Sequence, residues 1–226
     1  MNESAQISLK ENDINVTDSD KVISIFNNFF KEKIKSLRNR IPSEDATDPL
    51  QNIQAIISNK FELHFSLKCV SEEHVLNIMK KLPNKKSSGF DELSNYLLKG
   101  SSDILYIPLT LIINTSILSG VFPEKWKLAI VKPLHKKGSV SNKENYRPIS
   151  LLSTSSMVLE RVVNKQIEKY FERKELFASN QYGFRKNKNT ISALIAMHSY
   201  WTMDADDGKS NALAMYDLSS AFDCLD

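Results

Sequence analysis

Short apolar runs that suit β-strands are few in this chain, chiefly at 128–134, 146–151 and 212–218. Most other apolar segments repeat at helical spacing. That balance points to an α+β, helix-rich fold with few strands. Asp18, Ser19 and Asp20 can cap a helix running to about Arg40, with Val22, Ile23, Ile25, Phe26, Phe29, Phe30, Ile34 and Leu37 on its apolar face. Ser71-Glu72-Glu73-His74 carries a capping signature for a second helix faced by Val75, Ile78, Met79 and Leu82. Further helices are expected at about 93–99, 103–119, 154–173 and 190–203, with Gly120 and Pro123 closing the second of these. Phe61, Leu63, Phe65 and Leu67 alternate with polar residues, as a strand or an extended arm would. The polar stretch 1–20 reads as disordered or loosely attached, and 42–60 as a linker with a short helical pattern.

Two hundred and twenty-six residues, 41% hydrophobic and 25% charged, suffice for a sizeable core. A formal charge of +3 does not by itself demand a nucleic-acid partner. The local distribution is more informative. Lys125, Lys127, Lys132, Lys136, Lys137, Lys143 and Arg147 fall in one stretch, opposed only by Glu124 and Glu144. Cys69 and Cys224 belong to no spaced cluster, and His64, His74, His135 and His198 show no metal-ligand spacing. The N-terminus is polar and does not resemble a secretory signal. Ile104 to Leu118, the longest apolar run, is short for a bilayer span and contains Thr110, Asn114 and Thr115. The expectation is an intracellular protein, in the nucleus and/or cytoplasm, without a membrane partner.

Two constellations carry chemistry. The strands at 128–134 and 146–151 can pair as a hairpin with Lys132 in the first strand, Lys136 and Lys137 at the tip and Arg147 on the return. A guanidinium fork and flexible ammoniums at a hairpin mouth suit a triphosphate. By spacing alone, a solvated loop would carry the same residues. The second is Asp217, at the end of the apolar run Ala212 to Leu218, with Phe222 five residues on. The carboxylate could project from a sheet edge and the ring could close over a sugar. By spacing alone, a helix cap at Ser219 or Ser220 would account for the same pattern.

Taken in order, Leu82 to Asp91, Lys132-Pro133-Leu134-His135-Lys136-Lys137-Gly138, Asn145-Tyr146-Arg147-Pro148-Ile149-Ser150-Leu151-Leu152, Gln181-Tyr182-Gly183-Phe184-Arg185-Lys186 and Asp217-Leu218-Ser219-Ser220-Ala221-Phe222-Asp223 resemble the reverse transcriptases of non-LTR (LINE-type, jockey-like) retrotransposons. The helix containing Phe26-Asn27-Asn28-Phe29-Phe30 resembles the segment preceding the polymerase in that family. The resemblance implies a helical pre-polymerase segment and linker over 21–60, and the N-terminal part of a reverse transcriptase domain over 61–226, comprising fingers and the first palm strand.

It further implies RNA-directed DNA synthesis, by in-line attack of a primer 3′-hydroxyl on an α-phosphate assisted by two Mg2+ ions. RNA template, DNA primer and dNTP are the implied partners. Asp217 would bind both ions and the Leu218 carbonyl one of them. Lys132, Arg147 and Arg185 would contact the nucleotide, and Phe222 would act as the gate under the sugar. Lys85 and Lys86 would contact template RNA; Lys136 and Lys137 would add nucleic-acid contacts. The family's second carboxylate motif, aromatic-x-Asp-Asp, follows the Asp217 motif, and 218–226 contain none. Asp204-Ala205-Asp206-Asp207 precedes Asp217 and reads as a turn. The expectation is therefore a partial enzyme, truncated at both ends and inactive alone, or else an RNA-binding remnant or non-functional relic of a retroelement.

Overall fold

The structure, a computed structural model, describes residues 7–11, 14–39 and 65–217. The expected linker at 42–60 lies outside them, as do Phe61, Leu63, Leu218 and Phe222. The described residues form two compact units, one reaching Asn164 and one beginning at Lys165.

The first unit opens with an antiparallel pair, β1 (Leu9–Glu11) and β2 (Ile14–Val16), followed by α1 (Ser19–Arg38). Asp18 caps α1 by accepting the Lys21 amide at 3.0 Å. Residues 9–11 and 14–16 thus depart from the expectation of disorder or loose attachment over 1–20. Polar composition misleads there because one buried side chain, Leu9, anchors the segment against Val22 and Phe26 of α1 and against Tyr146, far along the chain.

The main core of this unit is helical. Helix α2 (Glu72–Lys80) starts where Ser71 accepts the His74 amide, and α3 (Asn95–Gly100) where Ser94 accepts that of Leu97. Helix α4 (Ser102–Ser119) ends at Gly120, whose left-handed backbone (φ 68°) suits a residue without Cβ. Val75, Met79, Leu82, Leu98, Leu109 and Ile113 close this core with Val158, Leu159 and Val162 from the first turns of α5 (Thr154–Arg173). Burying each such side chain contributes roughly 1.5–3 kcal/mol. At 18 residues, α4 is one helix long and apolar enough to cross a bilayer by length and composition, more than the sequence run suggested. Here Leu109, Thr110 and Ile113 face the core, and the Asn114 amide pairs with both backbone groups of Val70 at 2.9 and 3.0 Å. Residues 65–70 carry no regular structure, so no strand is formed there.

Strands β3 (Ala129–His135) and β4 (Tyr146–Leu152) form an antiparallel ribbon. Pro133 opposes Pro148, one pair past the middle toward the tip, leaving that position without N–H donors and discouraging a third strand. The base of the ribbon is clamped by the loop between α2 and α3. A Cβ on Gly89 would sit 2.6 Å from the Leu152 carbonyl and 2.7 Å from the Ser153 nitrogen, so only glycine allows this approach. Asp91 accepts the Ser153 hydroxyl, and Thr154 donates to the Leu93 carbonyl at 2.8 Å.

In the second unit, α5 ends and α6 (Thr190–Asp206) follows a long loop. The cap of α6 is Asn189, just before the helix start expected at about 190, in a reciprocal capping box with Ser192. Asp204 and Asp206 fall within the last turn of α6; the turn begins only at Asp207. Residues 211–217 are exposed and carry no regular structure, in place of the expected strand. A strand needs a ladder partner, and among the described residues of the second unit none is present.

Gly89→Ala should lower stability by about 1–3 kcal/mol, because the added methyl meets backbone that cannot rotate away. Thermal unfolding measures this; an unchanged Tm would refute the clamp.

Candidate functional site

Side chains alternate across a strand, so pairing register alone decides which residues of the ribbon share a face. Lys132 pairs with Ile149, and Leu134 with Arg147. Lys132 and Arg147 therefore lie diagonally on one face, as neighbours of a kind typically about 7–8 Å apart. Ile130, Leu134, Ile149 and Leu151 occupy the same face by alternation, and all but Leu151 are exposed. The other face holds His135 and buried Tyr146, which stacks edge-on against Phe26 at 4.9 Å. Burying Tyr146 obliges its chain neighbour Arg147 to point the opposite way.

The exposed face thus combines an aliphatic floor with two cations. Neither cation has a carboxylate within ion-pair distance among the described residues. A guanidinium offers a fork of donors and an ammonium a mobile point charge; both suit phosphate oxygens.

The tip extends this charge. Lys136 and Lys137 are exposed at the start of a loop whose conformation is closely specified. The Lys136 amide bonds to the Asn145 carbonyl at 2.8 Å, and Asn145 Nδ2 donates to the Ser139 carbonyl at 2.9 Å. Gly138 has a left-handed backbone (φ 76°) with the Asn145 side chain against it. Lys85 and Lys86 are also exposed. Their loop, fixed through Gly89, is anchored at the end of β4 remote from the tip, about 20 Å along the ribbon.

The remaining sequence-derived residues fare differently. In the second unit, Arg185 turns onto its own loop: its guanidinium lies 4.7 Å from the Phe177 ring and donates to the Ala178 carbonyl at 3.2 Å. Phe184 beside it, with φ 57°, is 98% exposed. Asp217 is an exposed carboxylate in the irregular stretch 211–217. Leu218 and Phe222 lie outside the described residues. No three His, Cys, Asp or Glu residues cluster to hold a metal among the described residues. Asp217 alone does not fit a two-ion centre, which needs several carboxylate oxygens.

Sequence reasoning missed Gly89 and Tyr146. A glycine in Ser87-Ser88-Gly89-Phe90-Asp91 signals a close approach, but not what approaches; Tyr146 gave no local signal.

The reverse transcriptase (RNA-dependent DNA polymerase) family profile matches residues 134–226. The probable RNA-directed DNA polymerase from transposon BS of Drosophila melanogaster is 28% identical over 178 residues, covering 78% of this chain and 20% of that protein. Residues 134–226 thus match the reverse transcriptase family, and the chain is similar to polymerases of non-LTR retrotransposons. The RNA-directed DNA polymerase from mobile element jockey of the same organism is 29% identical over 175 residues, covering 76% of this chain and 19% of that protein. The probable polymerase from the X-element is 30% identical over 151 residues, covering 66% and 16%. The chain therefore spans about a fifth of the length of the curated relatives it matches. The family match begins at Leu134, within β3, and includes β4 with Arg147 and the segment reaching Asp217.

Arg147→Ala should weaken binding of a nucleoside triphosphate about tenfold or more, the loss expected for charge-assisted hydrogen bonds. Lys125→Ala, an exposed cation outside the ribbon, should change it less than about twofold. Equal effects in a titration would remove the ribbon from the site.

Proposed function

We propose that this chain supplies the nucleotide- and template-gripping part of a reverse transcriptase that copies RNA into DNA, with 61–226 as the N-terminal fingers and first palm segment. The observation carrying this reading is the placement of Lys132 and Arg147 on one exposed face of β3–β4. In the proposed mechanism that face receives the triphosphate of the incoming dNTP. Arg147 engages two phosphate oxygens, Lys132 neutralises a third, and the aliphatic floor bounds the pocket below. Lys136 and Lys137 at the tip, and Lys85 and Lys86 at the base, follow phosphates of template RNA or DNA primer without reading bases.

Asp217 is the carboxylate we assign to the metal-binding motif, with the Leu218 carbonyl as a neighbouring ligand and Phe222 as the sugar gate. When bound, two Mg2+ ions would activate the primer hydroxyl and steady the leaving pyrophosphate. Asp217 does not meet that requirement alone, so the electrostatic stabilisation of the transition state is incomplete within these residues. Template, primer and dNTPs place the work inside the cell, in the nucleus and/or cytoplasm.

The exposed lysines favour a second reading for the isolated 226-residue polypeptide: it binds RNA without polymerising. Purified, it should extend no primer, and template-dependent incorporation would contradict this. Its RNA affinity should fall with salt, and Lys136→Ala should flatten the log–log slope by about 0.7, one phosphate contact on a single strand. Salt-insensitive binding would reject the phosphate-following role.

A further inference from the structure

We propose that the N-terminal β1–β2 pair and α1 act as a brace that fixes the cationic tip of the β3–β4 ribbon, with Glu11, Lys143 and Tyr146 as positioning residues. The proposal rests on the nucleotide-gripping reading of that ribbon. A two-stranded pair with three residues per strand has little stability of its own. Its order comes from what it touches, and it touches the tip loop repeatedly.

The Lys10 amide donates to the Ser141 carbonyl at 2.8 Å. Both carboxylate oxygens of Glu11 accept from the Lys143 ammonium, at 2.8 and 2.9 Å. The same ammonium stands 5.9 Å from the Phe29 ring of α1. The pair is partly shielded, with side-chain exposures of 29% for Lys143 and 36% for Glu11, so solvent weakens it less than a fully exposed pair. Leu9, Val22, Phe26 and Tyr146 close a small apolar core beneath these contacts.

The contacts land on residues 141, 143 and 146, on the segment returning from Lys136 and Lys137 to Arg147. Tyr146 closes the loop from within by donating its hydroxyl to the Val140 carbonyl at 2.7 Å, and its ring meets that of His135 at 5.3 Å. Burial pushes the Tyr146 hydroxyl above its ordinary pKa, keeping the proton that this bond needs. A loop of this length closed only by its own bonds would sample many conformations. A braced loop presents its cations already ordered, reducing the entropy lost when phosphate binds.

The test compares wild type with Glu11→Gln, Lys143→Met and Tyr146→Phe in the 226-residue chain, by hydrogen–deuterium exchange and by titration with Mg·dATP. Exchange at amides 137–145 should quicken about fivefold in each variant, the loss of roughly one net hydrogen bond. Amides of α2 and α4 should keep their wild-type rates, showing that the fold is intact. Affinity for the nucleotide should fall about two- to fivefold in all three variants. Glu11→Gln raises the net charge by one and Lys143→Met lowers it by one, so a plain charge effect would move the two affinities in opposite directions. Opposite shifts, unchanged loop exchange, or faster exchange with unchanged affinity would each overturn the proposal. If wild type binds no nucleotide, the gripping reading fails, and loop exchange alone decides whether the brace exists.

Discussion

Sliding β3 by one residue against β4 would carry the Lys132 face of the ribbon to the other side, away from Arg147. The site depends on that register, and the register depends on features spread over the first unit. At the base, the close approach of Gly89 and the bond from Ser153 to Asp91 fix the exit of β4 into α5. At the tip, Gly138, Asn145 and the Tyr146 hydroxyl set how the loop returns. Between them the opposed prolines keep the ribbon two-stranded. The cations confer no order of their own; like charges repel, so apolar and backbone contacts must hold them together.

The cost of this arrangement is visible in where burial occurs. Buried Tyr146 and exposed Arg147 are chain neighbours, and the pleat of β4 converts the burial of one into the presentation of the other. The helical core of α2, α4 and α5 contains no cation and serves the site only as a platform. In the second unit the logic is reversed: Arg185 is spent on Phe177 and Ala178, stiffening its own loop and leaving Phe184 bare.

Local signals made much of this legible in the sequence. Capping residues and apolar spacing marked α1, α2, α4 and α5 closely, and short apolar runs marked both strands of the ribbon. The co-facing of Lys132 and Arg147 follows from period-two alternation once the register is known. Contacts distant in sequence were not legible. The β1–β2 pair looked disordered or loosely attached because its anchor, Leu9, packs on Tyr146, and its ion pair joins Glu11 to Lys143. The run at 212–218 looked like a strand because β propensity is local, whereas a ladder requires a neighbour. Arg185 looked free because its aromatic partner lies eight residues earlier in an unremarkable loop.

The central claim is that Lys132 and Arg147 act together on one polyphosphate. A double-mutant cycle with Lys132→Ala, Arg147→Ala and the double variant, read as affinity for a nucleoside triphosphate and for the matching monophosphate, tests it most directly. The account predicts a coupling of about 0.5–3 kcal/mol for the triphosphate and a much smaller one for the monophosphate, which is too short to span both cations. Additive effects, within about 0.3–0.5 kcal/mol for both ligands, would mean that the two residues act independently and that their shared face is not the site.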